Sequence, residues 1–173
     1  THRSHMNEVT APDTEDNERL EFLGDALVDF IAADYLYRML PDAREGEMTA
    51  LRAGLVCEPT LAAFARRLDL GAYLRLGRGE DASGGRDRAP ILCDVFEALV
   101  GAIYLDHGFA TTEALVMGFF RPELDALLAR NAVKDAKSQF QEVAQRLWQI
   151  TPDYHTVAER GPDHAKRFVV TVG

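Results

Sequence analysis

Residues 17–30 read NERLEFLGDALVDF, and the interpretation of the whole chain depends on this stretch. Its spacing predicts a helix with apolar side chains on one side. The other side carries a narrow stripe of four acids: Glu18, Glu21, Asp25 and Asp29. Like charges at i,i+4 destabilise a helix by about 0.2–0.5 kcal/mol per pair, and a merely solvated face would usually include basic partners. A divalent cation would neutralise the stripe, so the sequence predicts a metal site here.

A second pair of acids lies in the most apolar part of the chain. Asp94 and Glu97 share one face of a helix predicted over residues 91–104, among leucine, valine and phenylalanine residues. Neither lysine nor arginine occurs between residues 91 and 120. Buried carboxylates without a basic partner need a metal ion or strongly raised pKa values. This pair therefore strengthens the prediction of a metal site.

The ligand atoms that these acids offer limit which metal ions and which reactions are possible. Carboxylate oxygens alone favour Mg²⁺ or Mn²⁺, which points to phosphodiester or phosphoryl chemistry. The sequence lacks the Glu-x-x-His pairs of a di-iron bundle, the His/Cys cluster of a zinc site and the G-x-S-x-G turn of a serine hydrolase. Considered alone, Glu18, Asp29 and Glu45 are each more typical of a solvated surface than of a site.

The glycine-rich segment 77–88 resembles a dinucleotide fingerprint only superficially. Such a motif has to open a helix after a buried strand, and neither is indicated here. We predict a flexible charged surface loop, whose arginines could contact a polyanion.

Composition and length limit the number of domains, the kinds of partner and the compartment of the protein. The chain has 173 residues, 47% of them hydrophobic, and a formal net charge of −9, which suits one globular core and a small second module. The acid excess lies before residue 131, so the basic footprint typical of a nucleic-acid binder is absent there. Neither a membrane span nor a signal peptide is indicated, and two cysteines suit a reducing compartment; we expect a cytoplasmic protein.

The hydrophobic pattern changes near residue 131. Before it, helix patterns follow one another without strand-like alternation, which predicts an all-α region. After it come a helix predicted over residues 138–150 and two strand-like runs around a Gly-Pro turn, which favour a β-hairpin. One helix and a hairpin are too little for a stable module, and the chain begins at Thr1 without a lead-in element. We therefore expect either that the natural protein extends beyond both ends of this chain or that its tail is mobile.

Two of these segments resemble motifs of a known family. Residues 17–25 (NERLEFLGD) closely resemble the signature motif of ribonuclease III, a double-stranded-RNA endonuclease. Residues 94–106 (DVFEALVGAIYLD) resemble its second acidic motif, and residues 1–4 and 44–46 resemble adjoining segments. The region after Asp135 is similar to the start of a double-stranded-RNA-binding domain. The resemblance covers essentially the whole chain.

The resemblance implies a mainly α protein with two domains. Residues 1–131 would form the all-helical ribonuclease III catalytic domain, without its N-terminal helix. Residues 132–173 would form the first part of an α/β double-stranded-RNA-binding domain, a helix plus a β-hairpin.

The resemblance also implies roles for individual residues. The ligands of Mg²⁺, for which Mn²⁺ could substitute, would be Glu21, Asp25, Asp94 and Glu97, with Asp25 and Glu97 as catalytic residues. Cys93 stands where a small residue is common, which we interpret as a conservative packing change. Supporting acids, RNA contacts of the second domain and a dimer-interface residue complete the implied set: Glu18 and Glu45; Gln141, Glu142, Gln145, Pro162 and His164; and Phe22.

The implied reaction is hydrolysis of double-stranded RNA to 5′-phosphate and 3′-hydroxyl ends with short 3′ overhangs, in the processing of rRNA and mRNA precursors. A homodimer of catalytic domains would cut both strands. The alternative is a non-catalytic relative that only binds double-stranded RNA or serves as a ribosomal scaffold. Such relatives lose carboxylates, whereas all four implied ligands are present here.

Overall fold

The computed structural model describes residues 1–6, 8, 15–149, 152–160 and 167–172. Two compact units divide the chain, Thr1–Leu127 and Leu128–Gly173. Among the residues described, no helix combines the length and apolarity that crossing a bilayer requires. The helices are α1 (Arg3–Met6), α2 (Glu18–Met39), α3 (Glu45–Val56), α4 (Glu58–Arg67), α5 (Arg78–Ala82) and α6 (Ala89–Trp148), with 3₁₀ turns at Leu70–Tyr73 and Gly85–Asp87, and the strands are β1 (Tyr154–Arg160) and β2 (Arg167–Val172).

Helix α2 confirms the helix predicted from the opening motif. At its start the Asp16 carboxylate accepts a hydrogen bond from the backbone N–H of Glu18 at 3.1 Å, which satisfies one free donor of the first turn. It ends at Met39, before Pro41, whose ring cannot continue a helix. Its buried face packs into the core and consists of Gly24, Val28, Ile31, Ala32 and Leu36.

Phenylalanines from α4 and α6 form the middle of the core of the first unit. The ring centroid of Phe64 lies 5.6 Å from that of Phe96, 5.0 Å from that of Phe119 and 6.2 Å from that of Phe120. Burying each such side chain contributes about 1.5–3 kcal/mol. This packing fixes the rotation of α6, and with it the direction in which the acids of α6 point.

Helix α6 consists of two helices joined at Gly108, whose φ of 75° glycine adopts without strain. The first of them corresponds to the helix predicted over residues 91–104. The second continues to Trp148, which is further than the sequence pattern predicts. The separate helix predicted from residue 138 is therefore wrong. Residues 131–137 contain neither glycine nor proline, so their change in polarity does not break the helix. Pro122 also lies inside α6 without ending it.

The second unit contains the predicted β-hairpin. Strands β1 and β2 pair antiparallel, with Tyr154 opposite Val172. Helices and this two-stranded sheet together confirm the mainly α fold class. The predicted RNA contacts Pro162 and His164 fall in the segment 161–166, outside the described residues.

The flexible loop predicted over residues 77–88 is not what the structure shows. The segment folds into α5 and a 3₁₀ turn. Arg86 donates to Asp81 at 2.6 Å and to two backbone carbonyls at 3.0 and 2.8 Å, and Arg88 pairs with Glu80 at 2.6 Å. These arginines hold the segment together and attach it to the preceding 3₁₀ turn, which the sequence pattern could not indicate because the partners are set by the fold.

Candidate metal centre

Helices α2 and α6 cross in direct backbone contact, and two glycines allow it. A Cβ placed on Gly24 would lie 1.8 Å from the carbonyl oxygen of Glu97, and one placed on Gly101 would lie 2.3 Å from that of Leu20. Real Cβ atoms essentially never come within 3.0 Å of another heavy atom in this way. Any larger residue at either position would force the helices apart. The crossing therefore sets the acids of α2 against those of α6.

The four predicted metal ligands differ in exposure but influence one another. Glu97 is 9% exposed, Glu21 and Asp94 are half-buried, and Asp25 is exposed. The negative charges of Asp25, Asp94 and Glu21 all raise the pKa of Glu97. Acids from two distant motifs are thus close enough to repel one another, as the sequence pattern led us to expect.

The carboxyl group of Glu97 is strongly perturbed. Burial raises its pKa to about 7, and the charge of Asp25 adds to the increase. The Cys93 thiol donates a hydrogen bond to the Glu97 carboxylate, with sulfur and oxygen 3.7 Å apart, and this contact opposes the shift. In the described part of the chain, the recorded ion pairs include none with Glu97. A buried carboxylate in this situation is stabilised by a bound cation.

Two neighbouring acids are shifted in the same direction. Burial raises the pKa of both Glu21 and Asp94, and the charge of Asp94 raises that of Glu21 further. His2 and Arg3 partly offset the increase at Asp94. Several acids that resist ionisation together are typical of a functional site rather than of a solvated surface.

The metal-free protein should lose stability as the pH rises from 4.5 to about 7, the ordinary and the folded pKa of Glu97. The folded state keeps the Glu97 proton to higher pH than the unfolded state does, so the unfolding free energy falls through this window, by at most about 3 kcal/mol. Urea denaturation in EDTA at a series of pH values measures the effect. Glu97→Gln should show a flatter dependence. An identical pH dependence in the two proteins would contradict the assignment.

A cleft of about 340 Å³ opens beside the acids. Arg3 contacts Glu18 at 3.3 Å and holds this predicted supporting acid at the cleft. The segment that carries Arg3 is anchored in turn, because the Ser4 hydroxyl accepts a hydrogen bond from the backbone N–H of Gly77 at 2.9 Å. The cleft is lined by His2, Arg3, Asn17, Glu18, Glu21 and Asp94.

One group of potential ligands lies entirely on α6. Ligand atoms of Cys93, Asp94 and Glu97 are all within 4.8 Å of one another, a spacing that a metal ion could bridge. Glu21 and Asp25 lie outside this group, and the ligand roles of all four acids stay predictions. Carboxylate donors fit a hard cation such as Mg²⁺. Cys93 was not predicted as a site residue, although its i,i+4 spacing from Glu97 could have indicated the contact.

Within the first unit, the predicted residues Glu45 and Phe22 do not line this cleft. Glu45 begins α3, is exposed and lines a different surface pocket. Phe22 is 81% exposed on α2. In the second unit, Gln141 is half-buried and Gln145 is exposed, while the side chain of Glu142 lies outside the description.

An all-helical domain whose crossed helices carry a cluster of metal-compatible carboxylates fits the class of proteins that use divalent cations in phosphoryl or phosphodiester chemistry. Family comparisons narrow this class. Residues 1–124 match the family described as Ribonuclease-III-like, and residues 136–173 match the Double-stranded RNA binding motif.

Individual relatives agree. The chain is 47% identical to ribonuclease 3 of Desulforamulus reducens over 99% of its own length and 70% of that protein, and 47% identical to ribonuclease 3 of Geobacter sulfurreducens over 98% and 68%. Its structure is similar to the nuclease domain of ribonuclease III from Campylobacter jejuni, with a TM-score of 0.61 and 36% identity, covering 64% of this chain and 78% of that one. Dicer from Pichia stipitis is similar at a TM-score of 0.58 and 27% identity, covering 91% and 74%. The chain belongs to the ribonuclease III family of endoribonucleases.

Proposed function

We propose that the chain hydrolyses double-stranded RNA with a divalent cation, Mg²⁺ or in its place Mn²⁺, held by Glu21, Asp25, Asp94 and Glu97. The observation that carries this proposal is the buried Glu97, whose carboxyl has a pKa of about 7 among three further acids. The products would be 5′-phosphate and 3′-hydroxyl ends with short 3′ overhangs.

The acids differ in burial, and this difference indicates the side from which substrate would approach. Glu97 lies at the buried end of the cluster and Asp25 at its exposed end, so substrate would approach from the side of Asp25. A bound ion would activate water and offset charge on the reacting phosphate. Without a cation the carboxylates would repel the RNA phosphates. We therefore expect metal binding and productive RNA binding at this domain to be coupled.

Cleavage of a long perfect RNA duplex tests this function directly. With Mg²⁺ the full chain should cut both strands, and EDTA should stop the cutting. Sequencing of the ends should show 5′-phosphates and short 3′ overhangs. Retention of the duplex on a native gel without cutting would instead favour the non-catalytic, RNA-binding relative.

We further propose that the chain acts as a homodimer with Phe22 in the interface. Phe22 and Leu105 are large apolar side chains with 81% and 63% of their surface exposed, and both line one cleft beside α2. Exposed apolar groups clustered in this way are typical of protein contacts. One solved structure of the C. jejuni nuclease domain concerns a region involved in dimer formation of that protein.

Phe22→Asp should weaken self-association about a hundredfold, because a buried aromatic anchor commonly contributes 2–4 kcal/mol to an interface. Sedimentation equilibrium over a concentration series measures the change. Tyr73→Asp is a matched control, since Tyr73 is 80% exposed on a different element. Equal dissociation constants for Phe22→Asp and the parent would rule out this interface.

The second domain, proposed as residues 132–173, would supply RNA affinity. Gln141, Glu142, Gln145, Pro162 and His164 are proposed as contacts to the minor groove, where shape and 2′-hydroxyls are recognised rather than base sequence. The match of residues 136–173 to the double-stranded-RNA-binding motif supports this proposal. We propose precursors of rRNA and mRNA as substrates and the cytoplasm as the place of action.

A further inference from the structure

The cysteine beside the acidic cluster has no part in the proposed hydrolysis. Cys93 is buried on α6, and its sulfur lies 3.7 Å from a carboxylate oxygen of Glu97. Cys93, Asp94 and Glu97 fall within about one helical turn, so their donor atoms converge to within 4.8 Å of one another. This chain therefore places one sulfur donor against two carboxylates that are already proposed to hold a cation.

Sulfur changes which cations such a group prefers. Mg²⁺ and Mn²⁺ bind oxygen donors, whereas thiolates favour softer cations, and Zn²⁺ is commonly held by mixed sets of Cys, His and carboxylate ligands. Affinity for a given site also rises from Mn²⁺ towards Zn²⁺. A sulfur and two carboxylates would thus favour a thiophilic cation over Mg²⁺ at these three donor atoms.

We propose that Cys93 gives this centre a second, inhibitory specificity: Zn²⁺ and Cd²⁺ bind through Cys93, Asp94 and Glu97 and displace the activating cation. The inference rests on the proposed function, because it assumes that the activating ion uses the same acids. Binding exchanges the S–H bond for a sulfur–metal bond and releases the proton to solvent, with no change of oxidation state.

The second cysteine provides a matched control. Cys57 is exposed between α3 and α4, and its sulfur contacts the Gly54 carbonyl and the Thr60 hydroxyl rather than an acid. These are the two cysteines of the chain. A thiol signal on metal binding can therefore be assigned with single substitutions.

The experiment titrates Cd²⁺ into the reduced, EDTA-stripped full chain and follows the ultraviolet charge-transfer absorbance of a cadmium–thiolate bond. The parent and Cys57→Ala should develop this absorbance and saturate near one ion per chain. Cys93→Ala and Cys93→Ser should lack it and bind Cd²⁺ about ten- to a hundredfold more weakly. Serine keeps a hydrogen-bond donor beside Glu97 but is not a soft ligand, so it separates ligation from loss of the hydrogen bond.

Mg²⁺-dependent cleavage of duplex RNA is then measured in the same preparations with increasing Cd²⁺, relative to each variant's own rate without Cd²⁺. Inhibition should need about ten- to a hundredfold more Cd²⁺ in Cys93→Ala than in Cys57→Ala. Absence of the thiolate absorbance in the parent, or its persistence in Cys93→Ala, overturns the inference. A parent that binds Cd²⁺ through Cys93 without losing its Mg²⁺-dependent rate also overturns it. Failure of the parent to cut with Mg²⁺ alone is a different result and counts against the proposed hydrolysis.

Discussion

Glu97→Gln should slow Mg²⁺-dependent cleavage of duplex RNA by about a thousandfold. A catalytic metal ion contributes several kcal/mol to the reaction, and each 1.4 kcal/mol corresponds to about tenfold in rate. Glutamine keeps the shape of the side chain but removes the negative charge that would hold the ion. The fold should tolerate the neutral residue, because a Glu97 carboxyl with a pKa of about 7 is itself readily protonated in the metal-free protein.

Asp29→Asn is the matched control for this substitution. Asp29 lies on the same acidic stripe of α2 but is 3.9 Å from Arg52, which already offsets its charge. Its cleavage rate should stay within about twofold of the parent, as surface ion pairs of this kind are worth little. Single-turnover rates with saturating RNA, beside circular dichroism of each variant, make the comparison. Full activity in Glu97→Gln would show that Glu97 is not a ligand of the catalytic ion.

Gly24→Ala should reduce both stability and activity. The new Cβ would lie 1.8 Å from the Glu97 carbonyl oxygen, so α2 and α6 must separate by more than an ångström to accept it. Overpacking of this kind costs about 1–3 kcal/mol. The same displacement moves the acids of α2 away from those of α6, and a misplacement of about 1 Å in a catalytic site can cost a hundredfold in rate. Cleavage should therefore fall by about a hundredfold, even at temperatures where the variant remains folded.

Gly118→Ala controls for the change of residue type. Gly118 is exposed on α6, and a Cβ there would meet nothing within 4 Å. Alanine in an open helical position is about 1 kcal/mol more favourable than glycine, so this variant should be slightly more stable and fully active. Thermal unfolding and single-turnover cleavage of both variants measure the difference. Parent-like activity in Gly24→Ala would mean that the close crossing of α2 and α6 is not needed for catalysis.

The acidic residues could be predicted because their pattern conflicts with ordinary helix physics. The stripe on α2 concentrates repulsion, and Asp94 and Glu97 carry charge into an apolar helix. Both conflicts indicate a cation whatever the fold. The glycines at the crossing are different, since the closeness of Gly24 to the Glu97 backbone is a property of the packed helices and not of either segment alone.

Two predictions, the flexible loop over residues 77–88 and the separate helix from residue 138, are wrong because local composition does not determine either structure. The segment 77–88 looks mobile in sequence, but Arg86 reaches Asp81 and carbonyls of the preceding turn. The change in composition after residue 130 looked like a break, yet nothing in it ends a helix. The interpretation of Cys93 as a packing residue is confirmed, because Cys93 is buried in the hydrophobic core. Its contact with Glu97 was not predicted, although the i,i+4 spacing could have indicated it.

Binding of Mn²⁺ to the EDTA-stripped chain, followed by the electron paramagnetic resonance of the free ion, tests most directly whether these acids hold a divalent cation. The parent and Asp29→Asn should bind Mn²⁺ with equal affinity at pH 8, where Glu97 is ionised, and an excess of Mg²⁺ should displace it. Glu97→Gln should bind Mn²⁺ at least about tenfold more weakly, as expected when a ligand of the ion is lost. Equal Mn²⁺ affinity in Glu97→Gln and the parent, or no saturable binding in the parent, would contradict the metal centre.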